Sequence, residues 1–448
     1  MRKINLFWFR RDLRLHDNAG FYHALKGDYP VLPIFIFDTQ ILDKLEHKED
    51  ARVEFLQKTL TEMSKDLKNL DSTILVRHGN PTDIWKDLLE TYDVQNVFTN
   101  RDYEIYAKER DEAVEKMLAG QNIGFHAYKD HLIFDRSEVV KSDGDPYVVF
   151  TPYSRVWRSK LEERKMTFTN EEGKKETTSF YFAPYPNAKY FDNLYKTDPM
   201  EVPSLADLGF KKTDITIPDK IVSEKTIKNY DETRNFPALE GTSRLGIHFR
   251  HGTVSIREEA RRAAKLNAVF LTELIWRDFY AQILDHFPHV EKGPFREKYA
   301  EIEWRNNEEE FAAWRAGKTG YPLVDAGMRQ MNETGYMHNR VRMVVASFLT
   351  KHLLINWQWG EAYFAEKLLD YELASNNGGW QWAAGCGTDA APYFRIFNPT
   401  AQLKKFDKNL VYTKEWIPEY GTDDYPDPIV DHKEARERCL RVYKEALG

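Results

Sequence analysis

Four side chains of the segment TELIWRDFY (272–280) could act together. Glu273, Trp276, Arg277 and Tyr280 fall at i, i+3, i+4 and i+7, so a helix places them on one face. One carboxylate, one guanidinium and two rings do not make an ordinary core stripe. Buried, the charges need partners; exposed, the rings meet water. A Glu273–Arg277 ion pair on an amphipathic helix is the plain alternative. A second cluster lies in GYMHNRVRMVVASFLTKHLL (335–354). There Asn339 shares a face with Met343, and Arg340 with Val344, while Arg342 points another way. Two arginines on different faces of an apolar helix suggest two anionic partners, or one paired and one solvated arginine. A third is LLDYELASNNGGWQWAAGCGTDAAPYFRIFNPT (368–400), where Asp389 is the single charge between Leu373 and Ala391. An uncharged, amide-rich stretch with glycines allows backbone to approach something flat and buried. Asn376 and Trp380 stand one helical turn apart there, just after the acids Asp370 and Glu372. Thr242 and Ser243, in FPALEGTSRLGIHFRHGTVS, precede an amphipathic stretch. Hydroxyls and free N–H groups at such a start can hold a phosphate or simply cap a helix.

The elements that position these groups are legible from periodicity. Residues 1–135 alternate short apolar runs (Ile4–Phe9, Val31–Phe37, Thr73–Arg77, Val97–Thr99, Gly124–Phe134) with amphipathic stretches near Ala51–Leu67, Pro81–Leu89 and Tyr106–Leu118. That alternation predicts a Rossmann-like parallel sheet covered on both faces. RRDLRLHDNAG follows the first strand and is neither a GxGxxG nor a Walker A loop. Residues 136–204 read as a connector with one short helix near Pro152–Arg164. Residues 205–448 read as an all-α domain, with helices over Ser255–Lys265, Ala268–Asp285, Glu308–Ala316, Leu323–Glu333, Asn339–Leu354 and Gly360–Leu369.

Composition bounds the function. The chain has 448 residues and a net charge of −7, with no strongly basic segment, so any nucleic-acid site must be a local patch. No apolar run is long enough to span a membrane. The N-terminus carries no secretory signal, and two cysteines form neither a disulfide framework nor a Cys-type metal site. A cytoplasmic protein is expected, at the nucleoid if bacterial, with no metal and no membrane partner. Eight of eleven tryptophans follow residue 270, which fits core packing or a site built on rings.

Taken together, WFRRDLRLHDN, GTSRL, ELIWRDFY, GKTGYPLVDAGMRQ, GYMHNRVRM and NNGGWQWAAGCGTDAAPYFRIFNP resemble, in order, the DNA photolyase/cryptochrome family. The likeness is strongest to its class I cyclobutane pyrimidine dimer photolyases and spans essentially the whole chain. It implies a U-shaped FAD among the C-terminal helices, active as the reduced anion. Tyr230, Thr242, Ser243, Leu245, Gly246, Arg277, Asn339, Arg342 (paired with Asp370), Glu372 and Asn376 would hold the cofactor, with Asn376 facing flavin N5. Gly246 stands where the family usually has Ser, and Glu372 where Asp is commoner. The resemblance further implies that UV-damaged DNA presents its dimer flipped from the helix. Glu273, Trp276, Asn339, Met343 and Trp382 would line the lesion pocket, with Arg234 and Arg340 on flanking phosphates. Trp380, Trp357 and Trp304 match the family's electron-hopping chain; Trp314 and Trp359 are left as packing. An antenna chromophore is open: NRDYEIYAKERD (100–111) carries Tyr106 and Ala107 where folate-binding members have Asn-Glu. A light-driven repair enzyme, expected as a monomer, is the leading reading. Asn376, where plant cryptochromes carry Asp, and a chain ending at Gly448 favour it over a cryptochrome photoreceptor. A flavoprotein that binds DNA without chemistry is the third alternative.

Overall fold

The computed structural model describes residues 2–170 and 173–448. Two compact units account for them, and each draws on several stretches of chain. The first comprises Met1–Val139, Arg155–Lys220 and Leu245–Ala264; the second comprises Val140–Ser154, Ile221–Arg244 and Lys265–Gly448. Neither coincides with one of the segments 1–135, 136–204 and 205–448.

The first unit is built on five parallel strands: β1 (Lys3–Phe9), β2 (Val31–Asp38), β3 (Leu75–Gly79), β4 (Asp93–Asn100) and β5 (Gly124–Tyr128). Their order is β3-β2-β1-β4-β5. Period-two alternation sends successive residues of the apolar runs to opposite faces. Phe7, Phe9, Phe35 and Phe37 enter one core with Phe21 and Leu60. Leu6, Trp8, Ile34 and Ile36 enter the other with Trp85, Leu88 and Leu118. A strand buried on both faces must be apolar throughout, which is why these runs read so clearly. The covering helices start on side-chain caps: Asp50 accepts from Arg52 N–H, and Asn80 from Thr82 N–H ahead of Pro81. The fifth strand is shorter than its apolar run predicts. β4 ends at Asn100, opposite Tyr128, so the chain beyond has no ladder to join.

Beyond the strand ends at the β1/β4 switch point, the unit's own charges meet. Arg10 pairs with Asp111, and Arg11 reaches Glu104 at 2.8 Å and Asp102 at 3.2 Å. The Tyr106 hydroxyl donates to Asp38.

The expected connector contains more order than predicted. A helix spans Phe150–Glu163, and Lys165–Thr169 pairs antiparallel with Lys175–Ser179. KMTFT alternates only two apolar side chains, Met166 and Phe168, with polar ones, and KETTS has none, too short a signal to mark a strand pair; their pairing includes a Thr167–Thr177 hydroxyl contact of 2.8 Å. Glu171 and Glu172 lie outside the described residues.

In the second unit, the helices Pro322–Thr334, Asn339–Ser347, Trp357–Lys367 and Leu373–Ala384 close around one core. It includes Trp314, Val324, Met328, Val341, Val345, Phe364 and Trp380. The predicted helix Asn339–Leu354 stops at Ser347 and widens into a π turn over Phe348–His352. Leu354 then takes φ +50°, a conformation that ends a helix. Cys386 and Cys439 are free thiols, both buried. Among the described residues, no helix is long and apolar enough to cross a membrane, and no group of three or more His, Cys, Asp or Glu could hold a metal ion.

Candidate active site

The helix Ala268–His286 opens on Asn267, whose side chain accepts from Val269 and Phe270 N–H. The cap fixes the register that aims Glu273, Trp276, Arg277 and Tyr280. Each then meets its own partner. Arg234 pairs with Glu273. Burial pushes the Glu273 carboxyl up, against the lowering pull of Arg234. Arg277 faces Glu372 at 3.7 Å. Tyr280 lies against Gly378, where a Cβ would stand 2.2 Å from the ring. Trp276 stacks on Phe150, ring centroids 3.6 Å apart.

The two arginines of the Asn339–Ser347 helix do take different partners. Arg342 bonds Asp370 at 2.9 and 3.1 Å and the Met337 carbonyl at 2.8 Å. Arg340 donates to Asn235 at 2.7 Å and lies over the Phe406 ring. Asn339 is exposed and Met343 half-buried, with its sulfur 3.5 Å from Arg340 Nη1. Arg234 and Asn235 thus bring the Tyr230 segment to both the Glu273 helix and this one.

His338 caps that helix and had no place in the sequence reading. Its Nδ1 accepts from Arg340 N–H, so Nε2 carries the ring proton. That Nε2–H is buried without a hydrogen-bond partner. Burial, then Arg342, Arg340 and Arg244, hold the ring down to about 4, so it is neutral at physiological pH. Beside Arg244 and Arg342 lies the Tyr336 ring, whose hydroxyl meets Thr242 Oγ1 at 3.1 Å. Two guanidiniums, a hydroxyl pair and an unused N–H suit a phosphate-bearing cofactor better than a closed core. Leu245 and Gly246 belong to the first unit, where Gly246 opens the short helix Gly246–His251.

The Leu373–Ala384 helix explains its own amides. Asn377 donates to the Val290 carbonyl and to Glu361 Oε1, and Gln381 donates to Val290, Gly293 and Asn377. Asn377 and Gln381 therefore bind the 290–293 segment. Asn376 is different: its Nδ2 donates to the Glu361 carbonyl at 3.1 Å. The Glu361 carboxyl is pushed up to about 7 by burial, with Glu291 adding to the shift. A carboxyl raised on folding binds its proton more tightly in the native state. Stability therefore falls as pH rises from the ordinary carboxylate range through about 7. Glu361→Gln removes that dependence: between pH 5 and pH 8, its melting temperature should decline less than the wild type's.

Trp380 is buried, and its ring fills the space beside Gly360, where a Cβ would come within 2.1 Å. Gly360 is one turn from Trp357 on the same helix, so Trp380 and Trp357 address the same face. Trp304 is partly buried, 6.2 Å edge-on from Tyr443. Trp314, expected as packing, is fully buried, donates to the Val345 carbonyl and lies 6.1 Å from Trp380. Trp359 packs edge-on against Phe311 at 5.2 Å. Trp382 is half-buried and faces Phe397 at 6.4 Å.

Comparison with known proteins gives the family. Residues 5–171 match the family model for DNA photolyase, and residues 270–422 that for the FAD binding domain of DNA photolyase. The deoxyribodipyrimidine photo-lyase of Halobacterium salinarum is 35% identical, covering 99% of this chain and 100% of that one. The chain belongs to the DNA photolyase family. A solved class III photolyase from Agrobacterium tumefaciens is 30% identical with a TM-score of 0.84, covering 100% of this chain and 98% of that one. An archaeal photolyase from Sulfolobus tokodaii, solved with two FAD molecules, is 32% identical with a TM-score of 0.82, over 99% and 100% of the two chains. The photolyase motifs noted in the sequence thus sit on a photolyase fold. What the motifs did not mark are Phe150, Tyr336, His338 and Glu361. Tyr336 and His338 lie inside GYMHNRVRM and could have been tested as partners of the neighbouring arginines.

Proposed function

We propose that this protein is a light-dependent DNA repair enzyme, a deoxyribodipyrimidine photo-lyase that carries FAD and splits cyclobutane pyrimidine dimers. One observation carries the reading: a single helix presents Glu273 and Trp276 together with Arg277, which faces Glu372. Lesion-side and cofactor-side groups are thereby set one turn apart on a rigid element.

Bound FAD supplies the absorption of light and the electron that splits the dimer. The chain's own residues bind, orient and shield. Arg277 with Glu372, Arg342 with Asp370, and the His338 Nε2–H offer the cofactor cations and a donor already fixed in place. Asn376 spends its Nδ2 on the Glu361 carbonyl, which leaves Oδ1 as an acceptor toward the cofactor. An amide there cannot deliver a proton. Trp276 and Trp382 form the stacking walls of the lesion pocket, with Asn339 and Met343 on its lining. Glu273 faces that pocket, where a hydrogen-bonded carboxyl stabilises charge developing on a pyrimidine carbonyl. A DNA phosphate competes with Glu273 for Arg234, while Arg340 takes a second phosphate. Trp380, Trp357 and Trp304 relay electrons inward from the surface.

Chromophore extraction tests this reading: FAD should be released from the purified protein, and release of no flavin overturns it. Asn376→Asp puts a proton source where the wild type has none. Photoreduction followed by absorbance should stop after one electron in the variant and run to two in the wild type. Equal end points would remove Asn376 from the cofactor.

A further inference from the structure

We propose that Phe150, tethered by Asp389, is a positioning residue that fixes the plane of Trp276 and leaves one face of it for the flipped base. The inference rests on the reading of Trp276 as a wall of the lesion pocket. Phe150 and Trp276 are parallel to within 3°, with centroids 3.6 Å apart. Aromatic pairs left to themselves prefer offset or edge-to-face contacts, and a centroid distance of 3.6 Å leaves almost no offset, so this face-to-face pair needs outside support.

That support is visible on both sides. Phe279, fully buried, meets Phe150 edge-on at 5.7 Å and Trp276 edge-on at 5.6 Å. Tyr153, one turn after Phe150, packs on Phe279 at 5.2 Å. Phe150 is 8% exposed, whereas Trp276 is half-buried. The covered face of the indole is therefore the inner one. Phe150 N–H donates to Asp389 Oδ2 at 3.4 Å. Asp389 takes φ +48° in the loop that follows the Leu373–Ala384 helix, which carries Trp382. The tether thus joins the backing of one proposed stacking wall to the chain that supplies the other. A base entering against Trp276 would become the third layer of a stack whose first two are already parallel.

The test is a double-mutant cycle read by affinity for a dimer-containing oligonucleotide in the dark, with an undamaged oligonucleotide as reference and bound FAD as the check on folding. Phe150→Leu keeps apolar volume and removes the ring. It should lose roughly three- to tenfold in dimer affinity, with undamaged binding, FAD content and photoreduction unchanged. Phe150→Tyr keeps the ring and should retain wild-type affinity. Asp389→Ala, which leaves the core intact, should lose less than Phe150→Leu. In a Trp276→Ala background, neither Phe150→Leu nor Asp389→Ala should have a further effect. An equal loss in both backgrounds, or full affinity in Phe150→Leu with FAD bound, overturns the inference and leaves Trp276 as a wall. Full dimer preference in Trp276→Ala alone overturns the wall reading itself.

Discussion

Replacing Trp304 by phenylalanine should reduce photoreduction of the oxidised protein to near background while repair by chemically reduced protein stays near wild type. Trp304 is the only member of the proposed relay that is not buried, so it is the exit to solvent. Phenylalanine retains most of the packing against Tyr443 and costs on the order of 1 kcal/mol. It is much harder to oxidise than tryptophan, so the relay loses its outer step. Repair needs only the cofactor and the dimer and does not call on that step. Absorbance under illumination with an external reductant follows the first activity; dimer loss after dithionite reduction follows the second. If Trp304→Phe abolishes repair in pre-reduced, folded protein, the relay and the repair site are not separate devices.

Trp276→Ala should show the reverse pattern. A base-stacking wall contributes about 1–3 kcal/mol per base, so dimer affinity should fall about 5- to 150-fold. Trp276 lies on the Ala268–His286 helix and none of its ring contacts is to Trp380, Trp357 or Trp304, so photoreduction should persist. Loss of photoreduction with lesion binding intact would reverse the assignments of the two aromatic systems.

These predictions rest on residues that differ in how visible they are in the sequence. The parallel sheet was readable because strands buried on both faces need continuous apolar runs, and Phe7 and Trp8 alternate between its two cores. The face bearing Glu273, Trp276, Arg277 and Tyr280 was readable from helical spacing. Their partners were not, since Arg234 and Glu372 approach from 39 positions upstream of Glu273 and from a different helix start. The strand pair Lys165–Thr169 and Lys175–Ser179 is not marked by periodicity, because only Met166 and Phe168 alternate on one strand and no apolar side chain answers them on the other. The amide-rich NNGGWQW stretch divides into two roles that composition alone could not separate. Asn377 and Gln381 brace the 290–293 segment, whereas Asn376 bonds only the Glu361 carbonyl. Glu361 itself reads as an ordinary helix-surface acid in WQWGEAYF until the fold buries it. Of the exchanges between the two units, the one at Val139 lies close to the pattern change at residue 135, whereas those at Arg155, Ile221, Leu245 and Lys265 fall where no composition shift marks them.

Light-driven repair is decided by the fate of a single lesion in light and in darkness. Chemically reduced protein is mixed with an oligonucleotide containing a single cyclobutane pyrimidine dimer, divided between blue light and darkness, and assayed for the remaining lesion. Dimers should disappear in the light and persist in the dark, with no net oxidation of the protein over successive turnovers. Persistence of the dimer in the light, in protein that holds reduced FAD and binds the oligonucleotide, would contradict the assignment and point to a photoreceptor or a DNA-binding flavoprotein.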